Sequence, residues 1–500
     1  MRWELEATGR RRPRVANEPQ ANWIRGQPSH DKLPTYSSNL YWLLLCSCLL
    51  SMTVQLRSQA TAHPQPGLHL LDVRPGEAEQ SVLPNRDQLL PNIAAARAAL
   101  HLNPDSARNH LSLGLALKAI GENESAWRAV CRALELDPSL ADAWYQKGVM
   151  QADEQKWLEA VESFRKAVEA SPGHAAAHLA LGEMWIRLGG FQQAANELEA
   201  VLRLSSKHPG AHYGLGLVYL QEGNLATAET EFRQAFTLQP NSVAVGESLG
   251  ETLVREHKWS DAVAILNHVV AVNPDSLEAT NALATALQHS GQQEQAAEEF
   301  RKARELSRRQ VTFLRVQGAY NQGLVSWRAG KLQDAVTAFR AAISMDPDYA
   351  DAHNNLGGVL WQMNDVTGAV AEFQAAVRSN PAFAEAHNNW GSALIHAGEI
   401  DHAIEQFRAA IASRAAFAQA HFNLGRALLK KRELREAEAE LRSALILRPE
   451  MAAAHIELGV ALAVQGGTLS PAARAELNEG LRLDSLLRSS IPPEYLEGLH

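Results

Sequence analysis

Histidine recurs at His110, His178, His212, His353, His387, His421 and His455, and a column of imidazoles invites a metal-binding reading because neutral imidazole is a common zinc ligand. Zinc needs Zn–N distances of about 2.1 Å, whereas stacked helical units stand about 10 Å apart. Neighbouring members of the column cannot share one ion, so the spacing predicts a packing role with no metal and no cofactor. Asparagine forms a second column: Asn355, Asn389 and Asn423 occupy the same place in three consecutive units, with Asn354 and Asn388 beside the first two. A carboxamide both donates and accepts, which matches a peptide group without demanding a particular side chain. Asp351 and Glu385 lie four residues before Asn355 and Asn389 and would make that face acidic, suited to a basic or neutral guest. Two readings of the column stand, a peptide-binding site and a solvated polar face. Phosphate-binding GxxxxGK[ST] and zinc-binding HExxH motifs are absent, and Cys131 lies on an apolar helix with no activating neighbour in sequence. The chain is expected to be no enzyme.

The elements that must position these residues follow from an internal repeat. Gly114, Gly148, Gly182, Gly216 and Gly250 recur every 34 residues, Ala284 takes the next place, and after a slip of five the series resumes at Gly323, Gly357, Gly391, Gly425 and Gly459. Twelve residues after each stands an alanine, among them Ala369 and Ala403, and four further on a large apolar residue, among them Phe373 and Phe407. Leu356 and Leu360 share one helix face, and Ala369, Phe373 and Ala376 follow the i, i+4, i+7 spacing of an apolar stripe. Each unit therefore reads as two antiparallel helices. Glycine inside the first costs about 1 kcal/mol relative to alanine, so its recurrence predicts a close approach between paired helices. A closing proline, as at Pro347, Pro381 and Pro449, ends many units because it cannot continue a helix.

With glycine, alanine, phenylalanine and proline at these offsets, the chain resembles the tetratricopeptide repeat family in a bacterial form. Eleven units start at 107, 141, 175, 209, 243, 277, 316, 350, 384, 418 and 452, after a lone second helix around Asn92 to Leu102. The resemblance covers about residues 85 to 485 and implies an all-α right-handed superhelical solenoid, with Gly357, Ala369, Phe373, Gly391, Ala403 and Phe407 as framework and the first helices lining a concave groove. Lys147 and Gln322 depart from the pattern by replacing the Leu before Gly, and the last unit carries a two-residue slip near Pro471. The units also resemble the repeat array of O-linked N-acetylglucosamine transferase, in which asparagines at this place line the groove and bond a peptide backbone. That resemblance assigns Asn354, Asn355, Asn388, Asn389, Asn423, Asp351 and Glu385 to a candidate peptide groove.

Composition places these units in context. The net charge of −9 conceals an asymmetry, since residues 1–62 carry eight Lys/Arg against four Asp/Glu and the remainder is acidic. An acidic body argues against nucleic acid as a partner. The uncharged run within residues 40–56 comes after a basic segment and precedes Ala60-Thr61-Ala62, the layout of an export signal or membrane anchor. Either places the rest of the chain outside the cytoplasm, whether periplasmic, secreted or anchored at the inner membrane, with membrane contact only through residues 40–56 if uncleaved. The expected organisation is signal or anchor 1–62, Pro-rich linker 63–88, six repeats after the lone helix over 89–308, five repeats over 309–485, and a tail over 486–500. The stretch 301–316 holds six Arg/Lys against one Glu and no closing proline; it reads as an elongated second helix with a basic solvated face, or as a dock for an acidic partner. The expected function is a non-catalytic scaffold for a protein or peptide. The alternatives are a recruiting subunit for a separate transferase and an anchored component of envelope biogenesis or secretion.

Overall fold

The computed structural model describes residues 86–496 and Leu499. The apolar run at 40–56, the candidate cleavage site at 60–62 and all but the end of the expected linker lie outside them. Twenty-two α-helices succeed one another, and no strand occurs among the described residues. First helices begin at Ala107, Ala141, Ala175, Pro209, Val243, Leu277, Ala350, Ala384, Ala418 and Ala452, which are the unit starts that the periodicity marks. Among the described residues, no helix is long and apolar enough to cross a membrane.

The repeated glycine has a physical cause. A Cβ on Gly357 would stand 2.7 Å from Cε1 of Phe373, and one on Gly216 would stand 2.5 Å from the Phe232 ring. The glycine thus makes room for the aromatic ring sixteen residues on, and Ala369 joins the same contact through its backbone oxygen, 3.2 Å from that point. Phe232, Phe373 and Ala369 are fully buried. Alanine normally stabilises a helix by about 1 kcal/mol over glycine. At Gly216 the overpacking outweighs this gain, so Gly216→Ala should lower stability by about 1–3 kcal/mol in urea unfolding.

First helices of successive units touch one another more closely than second helices do. The first helices therefore form the inner, concave layer. Units 6 and 7 break the pattern, because no proline or glycine interrupts residues 293–317 and one unbroken helix runs Gln293–Arg328, about 54 Å long at about 1.5 Å per residue. The expected boundary between 308 and 309 falls inside it. Ala296 and Ala303 are buried in its first part and Val316 and Gly323 in its second. At about 100° per residue these two buried faces lie on roughly opposite sides of the helix, so the two stacks grip it from different directions.

The ends of the array also meet. Ile93 of the leading helix Arg86–Leu102 is fully buried among Ala416, Ala418 and Leu447. Arg97 donates to the carbonyl oxygens of Leu445 and Leu447, each at 3.3 Å. Those carbonyls end the helix Leu434–Leu447, where backbone acceptors lack helical partners and a cation is favoured. Arg448 pairs with Glu122 at 2.7 Å. At the other terminus, Ile491 and Leu499 cover Ile456 and Leu477 of the last unit, which gives the tail a capping role.

Candidate functional site

The asparagine column lies on the inner helices Ala350–Gln362, Ala384–Ala397 and Ala418–Lys430. Asn355 Nδ2 donates to Tyr320 Oη at 2.8 Å, Asn389 Nδ2 to Asn354 Oδ1 at 3.0 Å, and Asn423 Nδ2 to Asn388 Oδ1 at 2.9 Å. Tyr213 and Ser248 meet across the same 35-residue spacing at 3.4 Å. The two asparagine columns thus bind each other and lock one unit in register on the next. Asn354, Asn388 and Asn423 are buried, Asn355 and Asn389 half-buried. The carboxamide oxygens of Asn355 and Asn389 take no part in the ladder, whereas that of Asn423 accepts from Gln419 at 3.1 Å. Glu385 pairs with Arg414, and Asp351 is exposed. Burial, followed by the Asp351 charge, raises the phenol pKa values of both Tyr320 and Tyr349, that of Tyr349 to about 12, so both phenols stay neutral. Asn321 is a fourth member of the column. It is exposed, and the repeat register reveals it once the five-residue slip is subtracted.

The histidine column is a set of clamps. His353 Nε2 lies 3.0 Å from the carbonyl of Pro347, six residues earlier, and Nδ1 lies 2.6 Å from Glu372 on the second helix. His178, His212, His421 and His455 repeat both contacts with Glu197, Glu231, Glu440 and Glu476, and His387 substitutes Gln406 for the glutamate. His110 keeps the carbonyl bond alone, to Pro104 at 2.8 Å. A neutral imidazole has one N–H, and both acceptors are served only by the imidazolium. Accordingly the hydrogen bond that His353 donates to Glu372 raises its pKa against the opposing effect of burial, and the bond to Glu231 does the same for His212. Trp144 occupies the same place and donates to Pro138 O at 2.8 Å. At Gly246, where the column fails, His268 of the second helix reaches across to the Pro240 carbonyl at 3.1 Å. Its position outside the column hid this substitution from the sequence.

Among the described residues, no group of three or more His, Cys, Asp or Glu is placed to hold a metal ion. Burial pushes the Cys131 thiol up, the reverse of activation. Trp390 packs partly buried between the cores of two units, and Trp361 stands edge-on to His396 with ring centroids 5.1 Å apart.

A stretch of 97 residues is 27% identical to SPINDLY of Petunia hybrida, designated a probable UDP-N-acetylglucosamine–peptide N-acetylglucosaminyltransferase, and covers 19% of this chain and 10% of that protein. Another of 101 residues is 32% identical to the Homo sapiens protein O-mannosyl-transferase TMTC3, covering 20% of this chain and 10% of that one. The chain spans about a tenth of the length of these curated relatives. Among solved structures, YrrB, described as a TPR protein with an unusual peptide-binding site, is 24% identical with a TM-score of 0.34, covering 37% of this chain and 95% of that chain. PilF of Pseudomonas aeruginosa is 22% identical with a TM-score of 0.37, covering 40% and 91%. The family model for the tetratricopeptide repeat matches residues 113–175, 145–189, 179–243, 248–310, 320–382, 359–421, 388–445 and 422–486, most of the chain. With paired helices, and in each of these segments a first-helix glycine packed against a large apolar side chain of the second helix, the chain belongs to the tetratricopeptide repeat family.

Proposed function

We propose that the chain is a non-catalytic scaffold that holds an extended peptide segment against the inner helices of units 7 to 9. The observation that carries this reading is the row Asn321, Asn355 and Asn389. The first side chain is exposed, and the other two keep a carboxamide oxygen outside the inter-unit ladder. An acceptor at each successive unit suits the N–H groups of an extended backbone, and exposed Asp351 favours a guest that is neutral or basic. The same chain is read as exported through its N-terminal segment, which fractionation followed by N-terminal sequencing tests. The named activities of SPINDLY and TMTC3 support a second reading, a subunit that recruits substrates to a separate transferase.

Asn321→Ala is the informative variant, because Asn321 is exposed and outside the ladder bonds that Asn355 and Asn389 make. On an array of unstructured 15-residue peptides, the wild-type chain should capture a neutral-to-basic subset. Asn321→Ala should weaken that capture several-fold with an unchanged melting temperature. Asn355→Ala and Asn389→Ala should weaken it too, while each lowers stability by about 0.5–1.5 kcal/mol through the lost ladder bond. Capture that is indifferent to all three variants rejects this face as the site.

A further inference from the structure

The long helix Gln293–Arg328 leaves one side uncovered where its two stacks let go. Val311, Leu314, Gly318, Asn321 and Val325 are spaced 3, 4, 3 and 4 residues apart, the spacing of a coiled-coil seam, and all five are exposed. Val311 and Val325 are more than half accessible, at 55% and 58%. A Cβ added at Gly318 would meet nothing within 4 Å, so another backbone could approach closely there. The seam runs about 21 Å along the helix. It is bordered by Arg304, Arg308 and Arg315, which are exposed. From 306 to 328 the helix holds Arg308, Arg309, Arg315 and Arg328 and no Asp or Glu. This contrasts with an acidic body.

We propose that this seam docks an acidic amphipathic helix of a partner protein. The partner's apolar stripe covers Val311, Leu314, Gly318 and Val325, and its carboxylates face Arg304, Arg308 and Arg315. The charge decides among occupants. A second copy of the seam would set arginine against arginine across an antiparallel pair, which costs free energy at close range. An acidic helix gains from the same residues, and its encounter is steered by them. The seam meets the proposed peptide face at Asn321 alone, and the test leaves Asn321, Asn355 and Asn389 intact, so failure of either reading is seen independently.

The probe is a synthetic 21-residue helix with leucine at its seam positions and glutamate on the flanks, followed by fluorescence anisotropy against the full chain. Its lysine-flanked counterpart and vesicles containing phosphatidylserine are the comparators. The acidic helix should bind at least tenfold more tightly than the lysine form, and binding should weaken as salt rises. The double variants Val311→Ser with Leu314→Ser and Arg308→Glu with Arg315→Glu should each lose tenfold or more. Gly318→Trp should block docking by filling open space, without disturbing the buried Val316 and Gly323, and circular dichroism should show helicity retained in all three. Equal binding of the lysine form, preference for vesicles over peptide, or affinity unchanged in the folded variants would overturn the proposal.

Discussion

Ile93→Asp is expected to part the two ends of the array. The side chain is fully buried against Ala416, Ala418 and Leu447, and a carboxylate placed there loses its hydration among apolar groups, with Arg97 one turn on already engaged by the Leu445 and Leu447 carbonyls. A cost of about 3–5 kcal/mol results from burying a charge and vacating an apolar site. Small-angle scattering should show a larger maximum dimension, and hydrogen exchange should quicken at 441–451. Because Ile93 also lies near Leu113 and Ile120 of the first unit, the double variant Arg97→Ala with Arg448→Ala serves as the companion. It removes the bonds to Leu445, Leu447 and Glu122 and leaves the apolar core alone. It should open the ends in the same direction at a smaller cost. A scattering profile unchanged in both variants would show that the ends do not depend on these contacts.

Raising the pH should destabilise the array. His212, His353 and His455 each have folded pKa values above the unfolded value of 6.5. For His212 and His353 the glutamate hydrogen bond is the main cause, while for His455 the bonds to Glu476 and the Pro449 carbonyl outweigh a larger opposing burial effect. A raised pKa means that the folded state holds its protons more tightly. The stability they contribute is complete below about pH 6.5 and is lost as pH climbs through the folded values. The melting temperature should therefore fall from near neutrality upward. On the acid side the expectation reverses at carboxylates such as Glu229, where hydrogen bonds from Lys258 and Arg233 overcome burial and hold the group to about 2. His353→Ala should cost about 2–3 kcal/mol, since a charge-assisted bond is lost and Glu372 is left without its partner. Glu372→Gln copies the pairing that His387 makes with Gln406 at 2.8 Å and should flatten the pH dependence while keeping most of the stability. A melting temperature flat between pH 6 and 9 would refute the imidazolium assignment.

Local periodicity carried the fold into the sequence: Gly357, Ala369 and Phe373 meet in one contact, and that contact requires a fixed offset that can be read by eye. The histidines were legible as structural but not as clamps, because the partner carbonyl and glutamate of His353 lie 6 residues before and 19 residues after the ring. Neither offset is a helical neighbour. The asparagines show the reverse problem. Their spacing suggested an open face, whereas Asn354 and Asn388 are buried acceptors for the next unit, a use that only stacking reveals. The fusion of units 6 and 7 was partly visible as a missing proline. The meeting of Ile93 with Leu447 was not visible, since one more buried isoleucine and one more leucine look like every other apolar position in the repeat.

A linear stack of repeats ordinarily unzips from its tips, where the outermost helix has a single neighbour. Here the leading helix rests on the penultimate unit as well as on the first, so fraying at that tip must first break a junction more than 300 residues distant in sequence. Such a junction forms late in folding, after its long loop has been ordered. Once closed, it makes opening a concerted event and lets the loosening of one terminus be felt at the other.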